Sequence, residues 1–307
     1  MKEKQGLHIG LAFDQNFIIH FYVVITSIFA NTKADITFHV ITSGVSVEEQ
    51  EEIRRYVEQN KATINFYEID MELVSRFHIQ SQHFTAATFY RLFFPAALPP
   101  SVKRFLYLDT DIIVSGDLTR FSEVDMQGFP IAAALDPGVI VRPELGVHEE
   151  HSYFNAGILL IDIDLWRQQQ ITERAIRFII DNPEKIPYVD QDALNATLVG
   201  NWLKIGKEFN LQRGHVQNAP KKEVQAVAQA AIVVHYTSND KPWNPYCTHP
   251  LKYLYWLYLG KSPKALNKRY AGAKLLKILA TSYVNNMVVS LYLNNPVLIK
   301  AWRKLRS

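Results

Sequence analysis

The chain has 307 residues, 48% of them hydrophobic and 12% aromatic, with 33 Lys and Arg against 30 Asp and Glu. That length allows one large α/β domain or two smaller ones, and the apolar content excludes an intrinsically disordered chain. One cysteine, Cys247, excludes an internal disulfide framework and fits a reducing compartment.

The first six residues carry no signal-peptide pattern and lead straight into a strand-like run, so a cytoplasmic location is expected. His8–Asp14 reads as a first strand, Phe17–Ala30 as a buried helix and Asp35–Ser43 as a second strand. Ser46 has Glu49 three residues on, the spacing of a capping box, and opens a helix whose solvated face runs from Glu48 to Gln59. Thr63–Asp70 predicts a third strand, Thr85–Ala97 a helix containing Arg91, and Arg104–Val114 a fourth strand. Ile131–Asp136 and Gly157–Ile163 predict two more strands. Asp164 is the expected N-cap of a helix that reaches Ile180 and stops at Asn182-Pro183. Val189–Val199 then reads as a helix and Ala231–Tyr236 as a late strand. This alternation predicts an α/β fold with a mostly parallel central sheet covered by helices. Pro242, Pro245 and Pro250 mark a composition shift, which divides the chain into a domain over residues 1–250 and a C-terminal segment over 251–307.

Charge is distributed unevenly. Beyond Asp240 there is no Asp or Glu but twelve Lys or Arg, which leaves 21 basic against 30 acidic residues over 1–240. Lys274, Lys277, Lys300, Arg303, Lys304 and Arg306 lie among Leu, Ile, Tyr and Trp302, the pattern of a segment resting on an anionic membrane surface. A solvated basic helix is the alternative, and nucleic acid is not the expected partner. The best apolar stretch, Ile278–Leu293, is short for a transmembrane helix and is broken by Asn285-Asn286.

The run Leu106-Tyr107-Leu108-Asp109-Thr110-Asp111-Ile112-Ile113-Val114 places two carboxylates two residues apart in apolar, β-prone text. In a strand both would point to one side. Burying them unpaired is costly, and a divalent cation would remove that cost and attract a phosphate. Alternatively both acids are exposed at a strand end or cap a turn. Ligands of open α/β sheets bind beyond the carboxyl ends of the strands, and Asp14, Asn16, Asp109, Asp111, Asp136 and His235 all fall at such ends. His235 is either a packing residue or the nitrogen ligand of a mixed O/N site suited to Mn²⁺, with Mg²⁺ as the alternative. Lys241, six residues on, could neutralise a phosphate. Arg91, in an apolar helix, calls for a fixed partner, either an internal ion pair or a substrate. Asn155-Ala156-Gly157 suits either close approach of a ligand or a tight turn. Asp190 and Asp192 open a helix, which also suits the helix dipole without a ligand.

The order of these pieces resembles the retaining glycosyltransferases of family 8, notably the bacterial lipopolysaccharide α-galactosyl- and α-glucosyltransferases. The likeness spans most of residues 8–243 and is carried by Ala12-Phe13-Asp14-Gln15-Asn16, Arg91, Asp109-Thr110-Asp111, Phe154-Asn155-Ala156-Gly157, Asp190-Gln191-Asp192 and His235-Tyr236 with Lys241-Pro242-Trp243. It implies a GT-A (Rossmann-like) nucleotide-sugar-binding fold over the first domain, UDP-galactose or UDP-glucose as donor, and Mn²⁺. By matching position, Asp109, Asp111 and His235 would hold the metal. Ala12, Asp14 and Asn16 would contact uridine, and Lys241 the diphosphate. Arg91, Asp136, Asn155 and Asp190 would meet the donor sugar, with Thr110, Ala156 and Ser238 completing the binding set. Gln191 would lie nearest the reacting anomeric face, and Asp190 is the other candidate catalytic group.

The acceptor implied is lipopolysaccharide or another surface glycan or glycolipid, met by variable loops within Val139–Ser152 and Asn210–Pro220. A basic, aromatic tail for membrane attachment is implied as well. Two positions depart from the family's pattern: Phe17 where Tyr is common, and Ser238 where many members carry Gly. Neither removes a metal ligand. Competing readings are a self-glucosylating enzyme of the glycogenin kind, a nucleotide-sugar-binding protein without turnover, and a metal-dependent phosphohydrolase.

Overall fold

Strand β1 (Leu7–Asp14) is apolar on both faces, as a strand buried between helix layers requires. It pairs in parallel with β2 (Ile36–Ser43) on one side and β4 (Arg104–Leu108) on the other, and β3 (Thr63–Tyr67) adds in parallel to β2. Past β4 the chain reverses: β7 (Phe154–Asp162) runs antiparallel to both β4 and β6 (Ile131–Leu135), and β8 (Leu203–Ile205) joins β6 in parallel. The seven-stranded order is β3-β2-β1-β4-β7-β6-β8. The computed structural model describes residues 6–69, 86–217, 219–244 and 246–264.

The reversal at β7 has a functional consequence. Its N-terminal residues share an edge with the C-terminal ends of β1, β4 and β6, so Asn155 joins Asp14, Asp109 and Asp136 there. Packing between β1 and β4 is tight. A Cβ on Gly10 would stand 2.2 Å from Phe105 Cζ, so a larger residue would displace that buried ring.

Helix α1 (Ile18–Asn31) is apolar nearly all round, as expected for a helix enclosed on several sides. Phe21, Val24, Ile25 and Ile28 pack on the sheet. Ile19 and Val23 meet Tyr255, Tyr258 and Leu259 of the helix Lys252–Lys261. Asn31 Nδ2 donates to Tyr258 Oη at 2.7 Å, and His20 Nδ1 lies 2.7 Å from Tyr255 Oη. Helix α2 (Val47–Gln59) begins with the Ser46–Glu49 capping box that its spacing predicts.

Several elements differ from the sequence reading. The expected strand Arg104–Val114 is two strands. β4 stops at Leu108, and β5 (Ile112–Val114) joins β10 (Val233–His235) and β9 (Leu211–Gln212) in a second, three-stranded sheet. Asp109-Thr110-Asp111 is the link between the sheets, because two carboxylates would be costly deep in either apolar ladder. Its backbone stays tied at both ends: Asp109 N donates to Gly157 O at 2.8 Å and Tyr236 N to Asp111 O at 3.0 Å. The expected helix Thr85–Ala97, whose first residue is outside the described ones, is a 3₁₀ run Ala86–Phe93 and a short α turn Phe94–Ala97 that starts where Pro95 supplies no N–H. The seventh strand starts at Phe154 rather than Gly157. Asp162, not Asp164, caps the next helix, accepting from Leu165 N at 2.9 Å, and Gln170, at φ 51°, divides that helix from Ile171–Asp181. The last predicted helix is Val189–Thr197.

Among the described residues no helix is long and apolar enough to cross a membrane. The stretch Ile278–Leu293 and the basic residues from Lys274 to Arg306 lie outside the described residues.

Candidate active site

The inter-sheet link aims both of its acids at the end of β10. His235 Nε2 is 3.2 Å from Asp111 Oδ1 and 3.8 Å from Asp109 Oδ2, and one ligand atom from each of the three residues falls within 4.8 Å of the others. His235 Nδ1 sits 3.1 Å from Asn210 Oδ1, an acceptor, so the proton belongs on Nδ1 and the Nε2 lone pair faces the carboxylates. Asp111 Oδ1 is buried and has no aligned hydrogen-bond donor. Two hard carboxylate oxygens, the one on Asp111 buried without a donor, and an imidazole nitrogen fit a divalent cation by their chemistry.

Two cations brace the acids from outside. Lys241 Nζ contacts Asp111 Oδ2 and donates to Tyr236 O at 2.7 Å. Burial pushes the Asp111 carboxyl up, but the Lys241 ammonium beside it outweighs that and holds the group well below the usual carboxylate range. Arg91, 7% exposed, lies between Asp109 and Asp190: Nη2 is 3.2 Å from Asp109 Oδ1 and Nε 2.5 Å from Asp190 Oδ2. Its Nη1 donates to Ala156 O, and the guanidinium lies 4.8 Å from the Tyr107 ring centroid. Tyr107 Oη donates to Asp109 Oδ1 at 2.7 Å. Burial raises Asp190 to about 7 despite Arg91, and it raises Asp109 as well. Arg91→Met would strand the buried Asp190 carboxylate and strip partly buried Asp109 of its ion pair. It is expected to cost about 3–5 kcal/mol in chemical denaturation, and a loss below about 1 kcal/mol would contradict this pairing.

Gln191 is the hub beside this group. Its Oε1 accepts from Asn155 Nδ2 and Ala156 N, both at 3.0 Å, while Nε2 donates to Asp136 Oδ2 at 3.2 Å and lies 3.3 Å from Tyr153 Oη. Asn210 Nδ2 donates to Asn155 Oδ1 at 3.0 Å, which links this amide network to His235. Asp192 is fully buried. It accepts from Tyr153 Oη at 2.6 Å, Arg142 Nη1 at 2.7 Å and Tyr188 N at 2.7 Å, and so pins the loop after β6 to the helix Val189–Thr197. Val189, which precedes Asp190, has φ 46°, an unusual conformation for a β-branched residue.

The sequence-predicted residues therefore fall into two contacting groups. Asp109, Asp111, His235, Lys241, Arg91 and Asp190 form one; Asp136, Asn155, Ala156 and Gln191 form the other. Thr110 is buried in the link itself. Ala12 is buried at the end of β1, and Asp14 accepts from Asn16 N at 2.9 Å, capping its own turn at the same edge. Ser238 is exposed on the loop after β10, at φ 74°. That left-handed conformation favours glycine, so Ser238→Gly is expected to stabilise the fold by about 1 kcal/mol, and denaturation showing a loss instead would contradict the geometry.

Asn210 and Tyr153 carry no sequence signal, since each acts by touching a residue distant in the chain, and Tyr107, although it bonds Asp109 two residues on, reads only as part of an apolar strand. The sequence leaves Gly157 either as room for a ligand or as part of a tight turn. The space it leaves is filled by His235 and Asp109, which a Cβ would approach to 2.3 and 2.6 Å. A cavity of about 530 Å³ opens at the opposite edge, between Lys33, Lys103, Arg104 and Asp117, and none of these site residues lines it.

A mostly parallel sheet with an acid-bearing link into a smaller second sheet, ligand-ready at the carboxyl edge, is the GT-A fold. It superposes with a TM-score of 0.76 and 23% identity on the galactosyltransferase LgtC, solved with donor and acceptor sugar analogs, covering 86% of this chain and 99% of that one. Residues 8–247 match glycosyl transferase family 8, and the chain belongs to that family. It is a glycosyltransferase. General stress protein A of Bacillus subtilis (strain 168) is 29% identical over 272 residues, 84% of this chain and 95% of that protein. The lipopolysaccharide 1,3-galactosyltransferase of Salmonella typhimurium is 29% identical over 271 residues, 83% of this chain and 78% of that protein.

Proposed function

We propose that the chain is a retaining hexosyltransferase that moves galactose or glucose from its UDP-sugar to lipopolysaccharide or a related surface glycan. One observation carries the reading most. Asp109, Asp111 and His235 bring three ligand atoms within 4.8 Å, with a buried Asp111 oxygen left for a cation and Lys241 beside it for a phosphate. The acceptor class rests on the relatives named as lipopolysaccharide galactosyl- and glucosyltransferases.

Asp109, Asp111 and His235 would hold Mn²⁺, with Mg²⁺ as a substitute, which when bound supplies Lewis-acid neutralisation of the leaving diphosphate. Lys241 would add a compact positive charge on the same diphosphate as the C1–O bond of the donor breaks. Ala12, Asp14 and Asn16 stand at the end of β1 for the uridine, with Thr110 and Ser238 near the phosphates. Arg91, Asp136, Asn155 and Ala156 would position the sugar. Gln191 would lie against the anomeric carbon, its amide held on both sides and thus a poor nucleophile. Asp190 is held against Arg91 and 1% exposed. Both facts support front-face transfer, in which the leaving phosphate oxygen takes the acceptor hydroxyl proton and no covalent enzyme intermediate forms. The test is a panel of UDP-sugars with Mn²⁺, scored by UDP release and by binding. One hexose should be hydrolysed or transferred well above the rest; equal inertness of UDP-galactose and UDP-glucose would refute the assignment.

Within the segment 251–307, the basic stretch from Lys274 to Arg306 is proposed to rest on the anionic inner face of the plasma membrane, on the strength of its charge alone. Deleting residues 265–307 should abolish pelleting with anionic vesicles and spare transfer to a soluble acceptor. Continued pelleting would reject the role.

A further inference from the structure

The buried charge around the inter-sheet link is nearly closed without any added ion. Asp109, Asp111 and Asp190 stand against Arg91 and Lys241, and every one of these groups touches another. Arg91 is fixed, donating to two backbone carbonyls, Ala156 O and Thr88 O, lying over the Tyr107 ring and pairing with two acids. Lys241 is different: it has one acid partner and one carbonyl, Tyr236 O, and reaches them on a flexible four-carbon stem. A dication brought to Asp109 and Asp111 therefore meets a like charge already seated on one of its ligands. A diphosphate removes that conflict by offering Lys241 a stronger anion.

We infer that Lys241 has two stations: counter-ion of Asp111 before the nucleotide arrives, and ligand of the diphosphate afterwards. Metal and nucleotide then bind with positive coupling beyond their direct contact, and the metal alone binds weakly.

The backbone around Lys241 makes this a side-chain exchange rather than a loop motion. Asp240, its neighbour, accepts from Thr248 N at 3.0 Å and from Thr248 Oγ1 at 2.8 Å. Asp240 also pairs with Arg213, whose Nη2 reaches Thr248 Oγ1 at 2.9 Å. At the other end Tyr236 Oη donates to Leu251 O at 2.9 Å, and Tyr236 is fully buried. With both ends held, the ammonium can swing between Asp111 and an incoming phosphate without rebuilding the site.

The inference rests on the metal and UDP-sugar reading above, and calorimetry with Mn²⁺ separates the two. Mn²⁺ is titrated into the full chain with and without UDP, for the wild type and for Lys241→Met, Lys241→Gln and Lys241→Arg. The neutral variants should bind Mn²⁺ alone about 10- to 100-fold more tightly than the wild type, while Lys241→Arg should not. The factor by which UDP tightens Mn²⁺ should shrink in the neutral variants. Glutamine retains a donor for Tyr236 O, so it serves if the methionine variant fails to fold. Unchanged or weaker Mn²⁺ binding by the neutral variants, with the wild type still binding Mn²⁺ in the presence of UDP, overturns the exchange and leaves the proposed function standing. No Mn²⁺ binding by the wild type even with UDP overturns both.

Discussion

Asp111→Asn is expected to lower sugar transfer by about a thousandfold and to abolish Mn²⁺-dependent UDP binding, with the fold intact. The substitution keeps the volume and removes the charge. Asp111 is the carboxylate on which His235 and Lys241 converge, and one of its oxygens is buried without an aligned donor. An amide there offers a weak oxygen to a cation and leaves the ammonium of Lys241 facing a neutral group. Thermal melting should move by only a few degrees, because Lys241 keeps Tyr236 O and remains partly solvated. UDP release, calorimetry and melting read the three effects separately. Full transfer by this variant would contradict the metal assignment.

Gly157→Ala is the second large effect, and its interest is that the residue touches no substrate in the proposal. The new methyl would stand 2.3 Å from His235 Cε1 and 2.6 Å from Asp109 Oδ2. Gly157 lies within β7, paired on the β4 side through its carbonyl to Asp109 N, so the backbone has little room to retreat. The side chains must shift instead. A displacement of a fraction of an ångström to one ångström in two metal ligands is expected to cost about 100-fold in kcat/KM, and crowding about 1–3 kcal/mol in stability. Wild-type transfer and Mn²⁺ affinity in this variant would show that His235 and Asp109 do not hold the cation in the arrangement described.

Much of this site was legible in the chain because its chemistry is local. Asp-x-Asp, His235 with Lys241 six residues on, and Asn155-Ala156-Gly157 each carry their meaning over a few residues, and the strand-end rule gathers them on one edge. The two-sheet split was not legible. Leu106–Val114 reads as one apolar run, and only the pairing of β5 with β10, more than a hundred residues later, shows that the acids sit in a link rather than a strand.

The same limit explains the partners that were missed. Asn210 fixes the tautomer of His235 from 25 residues away, and Arg213 holds Asp240 across 27 residues, distances at which spacing carries no signal. Arg91 shows a middle case. Its burial in an apolar helical run called for a fixed partner, and the structure supplies two, Asp109 and Asp190. Val189, next to Asp190, and Ser238, on the loop after β10, both hold left-handed backbone against their local preference, and strained backbone of this kind is often found at functional sites.

In the proposed site Asp109, Asp111 and His235 jointly hold a divalent cation under the nucleotide. Anomalous diffraction from crystals soaked with Mn²⁺ and UDP tests it most directly. One peak is expected, bonded to oxygens of Asp109 and Asp111 and to His235 Nε2, with Lys241 Nζ moved onto the diphosphate. UDP seated at the end of β1 with no peak among these three residues, or with the manganese elsewhere, would contradict it.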